Sequence, residues 1–203
     1  MNLYPYNPNI GNRIQTGVNG LAVDRAFNAR LSIAASAAVL GAAATALAAV
    51  TDNGAQRVIT TGITSPAYPR NVTATAGGTA TDIKAIQVII EGTNFAGETI
   101  TETLPAFTVD TAGTVTGNKA FKAITKVTIP AHDGTGATTS IGFGAKLGIP
   151  YKLPHNTVYL AYRNNTKEGT LPTVTTDVAA IENNTLTLSS ALNGTPVDVY
   201  LIV

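Results

Sequence analysis

The sequence predicts an all-β fold, a β-sandwich or partly closed barrel with an extended N-terminal arm. Three observations carry that prediction. From residue 56 onward, runs rich in Thr, Val and Ile alternate apolar and polar residues with the period of two that a half-buried strand requires. Gly, Pro and Asn separate those runs at the short spacing typical of sandwiches and barrels. No period of 20 to 50 residues is visible, which argues against a solenoid. At 203 residues the chain can bury a good core in one domain or in a domain plus a small appendage. We divide it into an arm over residues 1–30, a β-sandwich domain over 31–150, and C-terminal strands over 151–203 that complete the sheet or form a small β subdomain.

The arm comes first. Residues 1–23 contain Pro5, Pro8, Gly11, Gly17 and Gly20 with Asn throughout, a mixture that opposes both helix and regular strand. An extended segment of this kind is ordered only by contacts outside itself. The next stretch, RLSIAASAAVLGAAATALAAVTD, runs without a charge from residue 31 to residue 51 and is long enough to span a bilayer. Its composition argues otherwise: half of residues 31–50 are Ala, with Ser32, Ser36, Gly41 and Thr45 interspersed and no aromatic belt at either end. A signal peptide is disfavoured too, because the thirty residues before it include Asp24, two Pro and many Asn instead of a short basic lead. The segment is therefore expected to be buried protein structure. Two forms remain open for it. As a short Ala-rich helix, Asp24 caps the start and Phe27, Leu31, Ala35 and Ala38 share a face; as a strand, Leu31, Ile33, Ala35, Ala37 and Val39 alternate inward.

Downstream the pattern is plainer. RVITTGI precedes TSPAYPRNVTATA, where two prolines set a kinked, extended passage into a Thr/Val alternation. IKAIQVIIEG and ETITETLPAF flank TNFAG and read as a hairpin, with Ile86, Val88 and Ile90 on one face and Ile100, Glu102 and Leu104 facing alike on the return strand. In KAFKAITKVTIPA, Phe121, Ala123, Thr125, Val127 and Ile129 share one side, and Lys122, Ile124, Lys126 and Thr128 the other. NTVYLAYRNN continues with Val158, Leu160 and Tyr162 alternating. Asn193-Gly194 is the strongest short hairpin signal, and the apolar ending VDVYLIV demands a partner strand.

Composition narrows the function classes. Charged residues are 12% of the chain and the net charge is +1, so no field or Lys/Arg run is present to hold nucleic acid. A surface so poor in charge has little colloidal protection, which points to an assembly subunit covered by neighbours. With no Cys there are no disulfides and no thiolate metal sites.

Chemistry-bearing residues are few. His132-Asp133-Gly134 sets an imidazole beside a carboxylate, but adjacent residues on a turn diverge, and the plain reading is an Asp-Gly turn after a polar residue. His155 follows Pro154 and reads as a loop residue. Two isolated histidines make no zinc site. GFGAKLG lacks the Gly-Lys-Ser/Thr and the following helix of a phosphate loop. Asn71-Val-Thr and Asn183-Asn-Thr fit the glycosylation sequon in a chain where chance matches are expected. We therefore expect no catalytic residues, no cofactor and no metal. Tyr4, Tyr6, Arg13, Arg25 and Arg30 are the leading partner-binding candidates, because Tyr and Arg concentrate at interface centres and the arm cannot build its own core. Lys119, Lys122 and Lys126 are a weaker set whose ordinary role is a solvated strand face.

TTGITSPAYPRNVTATAGGTATDIKAIQVIIEGTNFAGETITETLPAF, TVTGNKAFKAITKVTIPAHDGTGATTSIGFG and EGTLPTVTTDVAAIENNTLTLSSALNGTPVDVYLIV together resemble structural proteins of tailed bacteriophages. The likeness is one of texture and phrase over most of residues 56–203. Within that group the chain is most similar to capsid decoration, or cement, proteins. That resemblance implies a non-enzymatic homotrimer made in the bacterial host cytoplasm. It would seat on the major capsid protein at the outer surface of the virion, without contact to nucleic acid or membrane. A tail or neck component is the alternative within the virion, and a secreted carbohydrate-binding or adhesive β module the alternative outside it.

Overall fold

The computed structural model describes residues 27–203. Among them, fourteen strands form three antiparallel sheets, and two single 3₁₀ turns, at Ala80–Asp82 and Ile181–Asn183, are the only helical elements. The fold is all-β. Sheet A runs β1 (Asn28–Ile33), β14 (Val197–Ile202), β10 (Val158–Arg163), β11 (Thr166–Lys167). Sheet B runs β12 (Thr173–Thr175), β13 (Thr185–Thr187), β9 (Ala137–Gly148), β4 (Arg70–Gly78), β7 (Gly113–Thr116), with β2 (Leu47–Thr51) also on β9. Sheet C runs β3 (Arg57–Ile59), β8 (Ala123–Ile129), β5 (Ile89–Thr93), β6 (Thr99–Thr103).

The 12-residue β9 is the spine. Along its first half, Ile141 and Phe143 join Val72, Ala74 and Ala76 of β4 in a core closed by Ile90, Ile100, Val127 and Ile129 of sheet C. Near its end, Leu147 enters a second core with Leu31 and Ile33 of β1, Val158 and Ala161 of β10, and Val197, Val199 and Leu201 of β14. Each core is lined by inward residues of two sheets, which is the sandwich arrangement. The second core thus joins residues 31–38 to residues 147–201.

The β5–β6 hairpin forms as the alternation predicts, with Ile89 opposite Thr103 and Thr93 opposite Thr99. Val88, Ile90, Ile100 and Leu104 are buried. The terminal strand is paired on both sides within its own sheet, by β1 and β10. The alternation in β8 needs a correction. Glu91 pairs with Lys126 but Gly92 with Ile124, so Thr125 is an inserted bulge residue and Ile124, not Thr125, faces the core. A second bulge at Tyr159 of β10 turns Ala161 inward and leaves Leu160 and Tyr162 half-exposed. Asn193-Gly194 also differs from expectation. Gly194 supplies a left-handed turn (φ 77°), yet no hairpin forms, because β13 already has β12 and β9 as partners and β14 lies in another sheet. The Gly194 N–H donates instead to Ala38 O at 2.9 Å.

The Ala-rich segment adopts neither of its regular forms throughout. The strand alternation holds only to Ile33, after which Ala37 and Ala38 donate to Ala34 O in a single turn. The chain then crosses β9 and enters β2 at Leu47. No helix forms here, because β14 captures the first residues as β1 and the crossing requires backbone-to-backbone contact. A Cβ on Gly41 would lie 1.8 Å from Phe143 O, and one on Gly142 2.2 Å from Ala42 O. Small side chains on both sides are the condition for that approach. The segment is less buried than expected: Leu31, Ile33, Ala38, Ala46 and Leu47 are buried against the β domain, but most of residues 34–45 are exposed, because the crossing runs over the outside of β9. No helix among the described residues is long and apolar enough to cross a membrane.

Candidate partner-binding surface

Of the predicted arm residues, Tyr4, Tyr6, Arg13 and Arg25 lie outside the described residues. Arg30 lies in β1, opposite Tyr200 of β14. Its guanidinium reaches the diagonal neighbour Asp198 through both carboxylate oxygens, Nε to Oδ1 at 3.0 Å and Nη2 to Oδ2 at 2.9 Å. That fork holds the Asp198 carboxyl below the usual carboxylate range. Arg30 is thereby fixed on the outward face of sheet A.

What surrounds it was not singled out in the sequence. Val197, Val199 and Leu201 point into the core, so Asp198, Tyr200 and Ile202 point out. In β10, Tyr159 follows the inward Val158 and lies on the same face, and the bulge brings Tyr162 there as well. Tyr200 lies between them, with ring centroids 6.4 Å from Tyr159 and 6.1 Å from Tyr162. Tyr159 Oη donates to Asn28 Oδ1 at 2.8 Å and so ties β10 to β1 across the central strand. Tyr159 and Ile202 are each more than two-fifths exposed, and Phe27 extends the apolar margin. The period-two pattern of VDVYLIV already put Tyr200 and Ile202 on the face opposite the valines. Alternation from the inward Val158 already puts Tyr159 outward; only the bulge, which nothing in NTVYLAYRNN announces, brings Tyr162 to that face.

The three lysines do not combine into a cationic patch. Lys119 Nζ donates to Thr101 O at 3.0 Å and stands 3.8 Å from Glu182, Lys126 pairs with Glu91, and Lys122 is exposed. All three belong to β8 or the turn before it, on sheet C.

His132 is a structural clasp. Its ring is buried and stacked on Phe107, with centroids 6.0 Å apart. The Lys84 backbone N–H donates to Nδ1 at 3.2 Å, which leaves the proton on Nε2 to be shared with Thr139 Oγ1 at 3.1 Å. Its own backbone N–H donates to Asp52 at 3.0 Å, and burial pulls its pKa down. Asp133 diverges from it into solvent and pairs with Lys84 at 3.1 Å. His155 is exposed on a loop. Among the described residues no three His, Asp or Glu side chains converge to hold a metal. Asn71 of the first sequon is fully buried, donating to Gly117 O and accepting from Lys146 N–H, which leaves no room for a glycan. The chain matches no protein-family model, no curated protein and no solved structure.

Proposed function

We propose that this chain is a non-enzymatic structural subunit of a tailed-phage virion, a capsid decoration protein that binds the major capsid protein on the outside of the head as a homotrimer. The observation that carries the reading is the outward face of sheet A. It gathers Tyr159, Tyr162, Tyr200, Ile202 and Arg30, residue types that dominate the desolvated centres of protein interfaces, on a chain with few charges elsewhere. Symmetric copies of one such patch engage several shell subunits at once, so weak contacts act together through high effective concentration. The shell is then harder to pull apart under internal pressure.

The same tyrosines favour one rival. Flat aromatic rings sharing one strand face are also the platform a carbohydrate-binding module presents, which keeps the secreted adhesive reading in play. A tail or neck position uses the interface in a ring of few copies. Quantitative mass spectrometry of purified virions separates these readings: hundreds of copies support decoration, a ring's worth a neck or tail, and none overturns the virion reading. Tyr200→Ala should lower virion occupancy in the first case. Saturable glycan binding lost in the same variant assigns the face to sugar instead.

A further inference from the structure

Arg70 is the first residue of β4 and is only 4% exposed. Its parity with Val72, Ala74 and Ala76 sends the side chain toward the interior. There it meets neutral acceptors: Nε donates to Gly144 O at 2.7 Å, Nη2 to the same oxygen, and Nη1 to Val39 O at 2.9 Å. These use three of the five N–H bonds of a guanidinium and none of its charge. No carboxylate lies within ion-pair distance of it among the described residues. Burial pulls its pKa down to about 10, so it remains protonated at neutral pH. A buried cation without a counter-ion is costly, and an anion that can reach it gains what the fold leaves unused.

An anion can reach it. A cavity of about 210 Å³ opens over Arg70 between the crossing segment and the 64–67 loop, with the hydroxyls of Thr45, Thr64 and Ser65 on its walls. Val39 and Leu40, 49% and 57% exposed, form an apolar rim. We infer that this cavity is a docking site for the carboxylate of an Asp or Glu side chain borne by a different protein chain, with an apolar neighbour of that residue resting on Val39 and Leu40. One guanidinium among neutral hydroxyls balances a single negative charge and matches a carboxylate in a fork. A phosphate dianion would need a second cation, which the cavity lacks.

No acid among the described residues fills the site. Each of the eleven described acids already accepts from a donor or pairs with a cation, from Asp52 with the His132 N–H to Asp198 with Arg30. The twelfth, Asp24, stands three residues before Phe27, whose backbone pairs with Val203 at the end of β1 remote from the cavity. Three residues reach about 10 Å, whereas the six residues of β1 alone extend about 20 Å.

The inference rests on the attachment role proposed above only in expecting the carboxylate to come from a protein. Its test needs no virion, so either can fail without the other. The full chain, labelled with 15N, is titrated with sodium acetate against sodium chloride at matched ionic strength and pH 7, following the arginine Nε–H signals and the melting temperature. Acetate is expected to shift the Arg70 signal saturably and to raise Tm by about 3–6 °C at roughly tenfold its Kd. Because Arg70 substitutions threaten the fold, the decisive variant is Thr64→Glu on the exposed rim. It supplies a tethered carboxylate, so Tm should rise without acetate and the acetate response should vanish, while Thr64→Gln keeps that response. Equal behaviour in acetate and chloride overturns the site, and a response to inorganic phosphate alone overturns its carboxylate chemistry. Self-association that Asp24→Asn and Thr64→Glu both abolish makes the occupant a second copy and overturns the different partner.

Discussion

Sheets A and C are of equal size but are assembled from opposite kinds of contact. In sheet C, β5 and β6 pair across the short turn Asn94–Glu98, and β8 follows within the next thirty residues. Sheet A joins Asn28 to Ile202, so its first pairing closes a loop of almost the whole described chain. Closing a long loop costs only slowly increasing entropy, but it delays the contact until the rest of the structure has brought the ends together. The contrast teaches that the sheet carrying the candidate interface is the one that depends on the completed fold, whereas the local hairpin sheet does not.

The harshest way to break the comparison is to delete residues 197–203. Sheet A then loses its central strand, and β1 and β10 lose their partner together. Amide hydrogen exchange should show β1 and β10 unprotected while β5, β6 and β8 remain slow. Uniform loss of protection would mean that the two sheets fold as one unit.

Single core truncations sharpen the same point. Phe121→Ala in the first core should cost about 3–5 kcal/mol and Leu201→Ala in the second about 2–5 kcal/mol, since both side chains are fully buried. Their kinetics should differ. Phe121→Ala, whose backbone bridges Arg70 beside the local sheet, should slow folding, and Leu201→Ala should mainly speed unfolding. Chevron plots check this, and equal partition of both changes would erase the distinction.

Buried asparagines offer a smaller, matched pair. Asn94 accepts from Ala96 and Glu98 N–H and thereby fixes the β5–β6 turn. Asn184 accepts from Leu153 and Asp177 N–H and donates to Asp177 and Ala180 O, holding the segment between β12 and β13. Replacing either with Ala strands buried polar groups at about 1–3 kcal/mol each. Denaturant midpoints measure the loss, which should be larger for Asn184, whose partners are all backbone groups, than for Asn94, whose amide donates to the Glu98 and Glu182 side chains.

The mildest change is one of pH. Folded His132 is held neutral by burial with its pKa lowered, whereas in the unfolded chain it titrates near ~6.5. The unfolded state therefore binds the extra proton first. Stability is full above that value and declines as pH falls below it toward the depressed folded pKa. His132→Gln should flatten the slope of Tm against pH in that window, and an unchanged slope assigns the effect elsewhere. Asp198 acts lower on the scale: its contribution is present above ~3.8 and is lost as pH falls through its depressed folded value. Arg30→Ala should flatten that acid-range slope and lower Tm at neutral pH by the same modest free energy, because the guanidinium is more than half exposed.

Much of this protein was legible in its sequence because period-two patterning is local. The all-β class, the β5–β6 hairpin, the inward valines of β14 and the exclusion of a membrane-spanning helix from the Ala-rich segment all follow from residues within a few positions of one another. What the sequence left open is what distant strands decide. Whether residues 31–50 become helix or strand depends on β14 claiming Leu31 and Ile33, and on glycines in β9 letting a second backbone cross them. Bulges at Thr125 and Tyr159 arise from pairing register, which a single strand does not encode, and they move Ile124 into the core and Tyr162 onto the candidate interface. Asparagines that read as polar surface, Asn71 and Asn184, are buried because backbone groups from other segments converge on them, and Asn94 because the distant Glu182 carboxylate meets it at its own turn. Arg70, an ordinary charge in PRNVTATA, becomes an uncompensated buried cation only when β9 and the crossing segment close over it.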